Sequence, residues 1–441
     1  MPAMTARGKT SRTWANWAGN VEWAPRQVAR PGSLQALREV LDEARREGLV
    51  VRPAGSRHSF TPLCATDGIA LDLAAFSGIR AVDGDLVTVG AGTPLHQLNL
   101  LLDQRGRAMA NLGDIDRQTL AGAASTGTHG TGARQQGLAA QVESLTLVTP
   151  AGDEVTCSRD RQPDLFRAAC VGLGALGVVT EMTVRTVPAF GMDICVERGD
   201  RRSVVAALAQ HTAADHFEFF WFPLDETTQL KTTRRLAPGE ATHPLPRPRA
   251  WIEDVLLENG AMAALCEVGR RLPGQLPRLH RWAGAAIGPR RYSDASYRVF
   301  ASRRWVRFVE SEYAVPVTAL PGVLDAVAEL SRGVPVGPAF PVEVRFAAAD
   351  DVWLSTAFER DNAYVAVHQY APMPYADLMS GFAEICAAVG GRPHWGKLHP
   401  LGAVDLVGLY PRFGHVATLR RELDPDGILL NSHLRHVFGE D

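Results

Sequence analysis

Pro53-Ala54-Gly55-Ser56-Arg57-His58-Ser59-Phe60 follows the apolar run Leu49-Val50-Val51 and sets a histidine inside a small, polar loop. Small residues let backbone N–H groups approach an anion, Ser56 and Ser59 add hydroxyl donors, and His58 supplies an imidazole that can donate, accept or bond covalently. Such a loop grips phosphate; a tight turn carrying a surface histidine is the plainer alternative. A second stretch tilts the choice. In Leu120-Ala121-Gly122-Ala123-Ala124-Ser125-Thr126-Gly127-Thr128-His129-Gly130-Thr131-Gly132 every residue after the first is small or a histidine. A run this poor in apolar side chains is expected to form no core and to let a large planar or phosphorylated ligand lie against backbone, unless it is a flexible linker.

Gly172-Leu173-Gly174-Ala175-Leu176-Gly177 matches the dinucleotide fingerprint literally, but in the wrong setting. That fingerprint needs a strand before the glycines and a helix after them, so that the helix N-terminus faces pyrophosphate. Here Pro163 to Cys170 reads as a short helix and Val178 to Arg185 alternates like a strand, so a Rossmann site is rejected.

The chain has 441 residues with 46% apolar content, enough for two globular domains. A formal charge of −2 and the lack of a basic block argue against nucleic-acid binding. The six cysteines are scattered, forming neither CxxC pairs nor a dense framework; no metal centre is expected, and reduced cytoplasmic thiols fit best. Met1 to Lys9 is basic but leads into Thr13-Trp14-Ala15-Asn16-Trp17 without the apolar core of a signal peptide. No run of about eighteen apolar residues exists, so no membrane span is expected, while peripheral membrane contact stays open.

Helix and strand alternate up to about Thr186: Ser33 to Glu47 has helical periodicity, Leu86 to Val89 reads as strand and Leu95 to Gln104 as helix. Beyond Val187-Pro188 longer aromatic strands such as His216 to Phe222 announce a second domain. Leu236 to Arg249, with four prolines, is expected to be an irregular surface excursion. In Pro341-Val342-Glu343-Val344-Arg345-Phe346, alternation puts Glu343 and Arg345 on one face, either paired and used or on a solvated edge. Tyr364 to Tyr370 brings His368 and Tyr370 to one face, with a hydrogen-bonded core histidine as the alternative. Arg392-Pro393-His394-Trp395-Gly396-Lys397 packs cation, imidazole and indole around a glycine, with Lys397 the leading cation.

With these residues the chain resembles the aldonolactone oxidoreductases among the vanillyl-alcohol-oxidase type of flavoproteins. The resemblance runs from Asn16-Trp17-Ala18-Gly19-Asn20 through Gly55 to Phe60, Thr126 to Gly132 and Gly174 to Val179. It continues through Glu312-Tyr313-Ala314-Val315-Pro316 and Glu343-Val344-Arg345 to His394-Trp395-Gly396-Lys397. It implies an α+β fold: a two-lobed FAD-binding domain of the PCMH type (residues 14–187), an α+β cap with an antiparallel sheet (188–405), and a tail returning to the first domain (406–441). FAD is expected between the lobes, held by Pro53, Ala54, Gly55, Ser56, Arg57, His58 and Ser59, by Asp114, Thr119, Gly122, Ser125, Thr126, Thr128 and His129, by Gly177 and Val179, and by Asn431 of the tail. His58 matches the position that many relatives bond covalently to the flavin. Arg57 departs from the glycine usual before it, a position that often needs positive φ.

The implied reaction is oxidation of the C2 hydroxyl of a gulono-, galactono- or arabinono-1,4-lactone by hydride transfer to flavin N5. Glu343 and Arg345 would hold the lactone, Lys397 would support negative charge on the flavin or orient the reacting hydroxyl, and His368 is a further substrate ligand. Reoxidation would fall to oxygen or a cytochrome-type protein. Oxidation of an alditol or other carbohydrate alcohol is the alternative, and Ala123, where polyol-oxidising relatives tend to place serine near the substrate, leans away from it.

Overall fold

A computed structural model describes residues 13–251, 259–302 and 304–440; the basic start read at Met1 to Lys9 lies outside them. Among the described residues, three sheets of three or more strands organise the chain, beside two small two-stranded ones. In the first, the parallel strands Gln27–Ala29 and Val51–Pro53 flank Ile69–Leu71. The crossover helix Leu34–Glu47 starts at Ser33, whose side chain accepts from the Ala36 N–H, and ends at Gly48 in the left-handed conformation. Its buried stripe, Leu37, Val40, Leu41 and Ala44, packs on Val51, Ile69 and Leu71.

The second sheet is antiparallel, in the order Glu154–Ser158, Val142–Val148, Val178–Arg185, Leu86–Gly90, Ile79–Asp83. Gly172 to Gly177 lies between the helix Pro163–Ala169 and the strand Val178–Arg185, the reverse of a Rossmann turn.

Among the described residues the third sheet has eight antiparallel strands, and four neighbouring ones carry most of the chemistry: His216–Trp221, Val342–Ala347, Asn362–Tyr370 and Phe308–Pro316, in that order. Two-residue alternation divides their side chains. Val342, Val344, Val365, Val367, Val309 and Phe219 pack beneath the helices Leu320–Gly333 and Ala376–Ala387. Glu343, Arg345, His368, Glu310, Glu312 and Glu218 occupy the alternate positions. Because the strand Val342–Ala347 is paired on both sides, a solvated edge is excluded for Glu343 and Arg345.

After the third sheet the chain returns to the first two. Ile428 and Leu429 join Val51 and Leu71 in one core; Leu406, Phe413, Leu434 and Phe438 join Leu165 and Phe166 in another.

Two expectations need correction. Leu120–Ser125 is a helix whose Leu120, Ala123 and Ala124 are fully buried, because alanine packs as core wherever neighbouring helices and strands come close. The excursion from Leu236 to Arg249 ends in the helix Arg247–Trp251, with Pro248 in its first turn, where no N–H is needed.

Candidate active site

Between the first two sheets runs a cleft of about 290 Å³. One wall is the loop Pro53 to Ser59; the other combines the start of the helix Leu120–Ser125 with Leu173, Gly174, Gly177 and Val179. Glycine is needed where the walls meet. A Cβ on Gly55 would stand 2.7 Å from the Thr119 hydroxyl, the group that caps the helix by accepting from the Gly122 N–H. Gly174, at φ +65°, turns the chain back beneath Arg52.

The cleft opens into a polar chamber of about 50 Å³, the two sharing His58, Ser59, Gln118 and Thr126. His58 stands at this junction, stacked on Trp17 with 5.9 Å between ring centroids. Its buried Nδ1 has no hydrogen-bond partner among the described residues. Burial, helped by Lys397 and Arg117, lowers its pKa to about 4, which leaves a neutral imidazole with a free nitrogen. Arg57 adopts φ +58°, the conformation that makes glycine common there, and its guanidinium lies over the Trp14 ring at 4.8 Å.

The chamber ceiling is a buried lattice of alternating charge. Arg345 pairs with Glu343, with Glu218 at 3.0 Å and with Asp114 at 3.3 Å; Asp114 also meets Arg304 at 3.1 Å, and Glu218 meets Lys231 at 2.7 Å. Lys397 pairs with Glu310 and stands 4.0 Å from Glu312. Glu310 faces His368 at 3.4 Å, and Glu312 faces His129 at 3.2 Å. Register explains two of these contacts, since Glu218 lies opposite Lys231 and Glu310 opposite His368 in the sheet.

Burial pushes every one of these carboxyls up, and their neighbours decide the outcome. Lys231 and Arg345 hold Glu218 at about 2, Lys397 and His368 hold Glu310 at about 2, and His129 with Lys397 keeps Glu312 low. Glu343 differs. Burial, reinforced by Asp114 and Glu218, outweighs Arg345 and raises it to about 7. Burial alone would depress Lys397 and Arg345, yet the surrounding carboxylates hold both above their ordinary values. The ligand atoms of His129, Glu312 and His394, and those of Glu310, Glu343 and His368, lie within 4.8 Å of one another. Lys397 and Arg345 already neutralise these carboxylates, so a metal ion would meet resident positive charge.

The family description D-arabinono-1,4-lactone oxidase matches residues 182–437, and the description FAD binding domain matches residues 25–158. The chain belongs to the D-arabinono-1,4-lactone oxidase family. It is 39% identical to an L-gulono-1,4-lactone dehydrogenase of Mycobacterium tuberculosis over 436 residues, covering 97% of this chain and all of that protein. It is 31% identical to an L-gulonolactone oxidase of Bos taurus, covering 96% of this chain and 97% of that one. The cholesterol oxidase of B. sterolicum superposes with a TM-score of 0.79 at 16% identity over 98% of this chain and 97% of its own, a likeness of fold alone.

Within this family frame the residues singled out in the sequence fall into three groups. Pro53 through Ser59, Thr119, Gly122, Ser125, Thr126, Gly177 and Val179 line the cleft. Asp114, Thr128 and His129 line the chamber instead, beside Arg345 and Lys397. Asn431 lines neither: it caps the helix Ser432–Phe438 and donates to the carbonyls of Pro62 (2.7 Å) and Ala65 (2.8 Å), bracing the loop behind the cleft wall. Glu343 and His368 stand behind the chamber lining, where they meet Arg345 and Glu310.

Glu218, Lys231, Glu310 and Glu312 were missed, although the signal that found Glu343 and Arg345, charges at alternate positions of an apolar strand, is present in Phe308–Pro316 and His216–Trp221. Arg52 was missed too. This buried arginine lines the cleft and donates to the carbonyls of Leu63, Leu173, Gly174 and Leu429, tying three segments together.

Proposed function

We propose that this chain is an FAD-dependent oxidoreductase that oxidises the C2 hydroxyl of a sugar 1,4-lactone of the gulono, galactono or arabinono type. The observation that carries the reading is the joining of two cavities: a cleft whose walls are loop backbone and small side chains, and a chamber roofed by two buried cations. The cleft fits a flavin dinucleotide because its lining lets a phosphorylated, planar ligand lie close to main chain, and because His58, whose buried Nδ1 is left without a partner among the described residues, stands at the junction. On this reading residues 14–187 form the FAD-binding domain, 188–405 the cap and 406–441 the returning tail.

When bound, FAD supplies the hydride acceptor. The chain supplies the rest. Arg345 and Lys397 line the chamber as fixed cations, hydrogen-bond the lactone hydroxyls and stabilise negative charge as it develops. Glu218 at Nε and Glu343 with Asp114 at one terminal nitrogen hold the Arg345 guanidinium, so its orientation is set before substrate arrives. The neutral His58 imidazole, with its free Nδ1, is the proposed point of covalent attachment. Oxidation at C2 gives a 2-keto lactone, which enolises to an ascorbate-type enediol.

Anaerobic addition of the three lactones to FAD-loaded protein, with xylitol and sorbitol in parallel, tests the substrate class. Bleaching of the flavin by a lactone at concentrations where the polyols leave it yellow is expected; bleaching by the polyols alone would move the protein to alditol oxidation. Admission of air then shows whether oxygen restores the colour or a cytochrome-type acceptor is required.

A further inference from the structure

Lys397 reaches the chamber from the loop that follows the strand Arg392–Pro393, and a lysine on a loop carries a flexible four-carbon stem. The strand Phe308–Pro316 confines it. The His394 N–H donates to the Glu312 carbonyl and the Leu398 N–H to the Glu310 carbonyl, both at 2.9 Å, while the Ser311 hydroxyl donates to the Leu398 carbonyl at 2.7 Å. The loop is thus stitched to the strand on both sides of Lys397. Side chains complete the enclosure: Glu310 pairs with the ammonium, Glu312 stands 4.0 Å away, and the Phe60 ring centroid lies at 5.3 Å.

The two carboxylates differ in their hold on the ammonium: Glu310 pairs with it directly, whereas Glu312 stands 4.0 Å off and itself lines the chamber. Glu312 is engaged by His129 through its other oxygen. Glu310 has its second oxygen on His368, a residue held opposite it by sheet register. Glu310 is 4% exposed and stands outside the linings of cleft and chamber, where its contact with the chamber runs through Lys397.

We infer that Glu310 is the positioning residue for Lys397, braced by His368, and that it fixes both the place and the charge of the ammonium at the chamber wall. The inference rests on the reading of Lys397 as the cation that serves lactone oxidation. Without Glu310 the ammonium would keep Glu312 and Asp114 as its facing carboxylates, with the neutral rings of His58 and His394 beside it. It would be freer to swing and easier to deprotonate.

The test is anaerobic stopped-flow reduction of the FAD-loaded protein by L-gulono-1,4-lactone across the neutral to alkaline range. Wild type, Glu310→Gln, Glu310→Asp, Lys397→Met and the Glu310→Gln/Lys397→Met double variant are compared. Glu310→Gln should stay yellow, lose about 100-fold in the reduction rate, the scale of a misplaced catalytic group, and show its alkaline limb at lower pH. Glu310→Asp, which keeps the charge on a shorter arm, should recover part of the rate and return the limb towards wild type. The double variant should be no slower than Lys397→Met alone. Losses that multiply in the double variant, an unmoved alkaline limb, or identical behaviour of the Asp and Gln variants would overturn the inference. A wild-type flavin that no lactone reduces would instead remove the functional reading and the inference with it.

Discussion

Two residues of the site have properties their sequence neighbours do not announce. Glu343 is a carboxyl raised to about 7 among carboxyls held low, and the consequence for stability has a definite sign. Between the ordinary carboxyl pKa and about 7 the folded chain binds a proton that the unfolded chain has lost, so this group makes stability fall as pH rises through that window. Glu343→Gln removes the effect. The variant should be more stable to unfolding than wild type at pH 8.5, by on the order of 2–3 kcal/mol, and by only about 1 kcal/mol at pH 5.5, while flavin reduction slows. A variant less stable than wild type at both pH values would contradict the environment assigned to Glu343. His58 carries the second residue-scale prediction. Acid precipitation should leave the yellow colour in the wild-type pellet and release it from His58→Ala; colour released from both would exclude a covalent bond. Arg57 is compatible with that bond, since it takes up positive φ, at a cost on the order of 1 kcal/mol, and turns its side chain onto Trp14.

At the scale of elements, reading the sequence succeeded where composition alone constrains the backbone. Pro53 to Ser59 and Thr126 to Gly132 contain so little bulk that close approach to a ligand or another chain segment is nearly their only use. The strand Val342–Ala347 was legible as a two-faced element, but alternation says which residues share a face and not which face is covered; pairing on both sides settled that. Long-range closure was not legible. Nothing local in Leu49-Val50-Val51-Arg52 tells that Arg52 will meet Leu63, Leu173, Gly174 and Leu429, residues up to 377 positions away. Four carbonyls lose their donor in Arg52→Met, and buried acceptors left unpaired cost roughly 1–3 kcal/mol each before relaxation. Arg52→Met should therefore lower the midpoint of denaturant unfolding and weaken FAD retention together; a midpoint within error of wild type would show that water replaces the clamp.

Across the whole molecule, histidine burial dominates the acid side. His58, His280 and His433 are lowered to about 4, and His394 and His399 to about 3, in every case chiefly by burial. Below the ordinary histidine pKa the unfolded chain takes up protons that the folded chain refuses, so stability is full above that value and falls as pH drops towards 4. Unfolding at pH 5 should consume several protons per chain, measurable as a steep fall of melting temperature between pH 6.5 and 4.5; a flat profile would mean that these rings sit in wetter surroundings. The two-cavity plan itself was partly legible: the loop Pro53 to Ser59 that lines the cleft and the cations Arg345 and Lys397 that line the chamber stood out in the sequence. The carboxylate lattice that holds those cations was not, because Glu218, Lys231, Glu310 and Glu312 come from three strands brought together only by sheet order.

The central claim is that a buried cation above an FAD cleft serves lactone oxidation, and anaerobic reduction of wild type and Lys397→Met by L-gulono-1,4-lactone tests it most directly. Both proteins should purify yellow and folded, the wild-type flavin should bleach promptly, and the variant flavin should bleach at least about 100-fold more slowly. Equal rates in the two proteins would contradict the account.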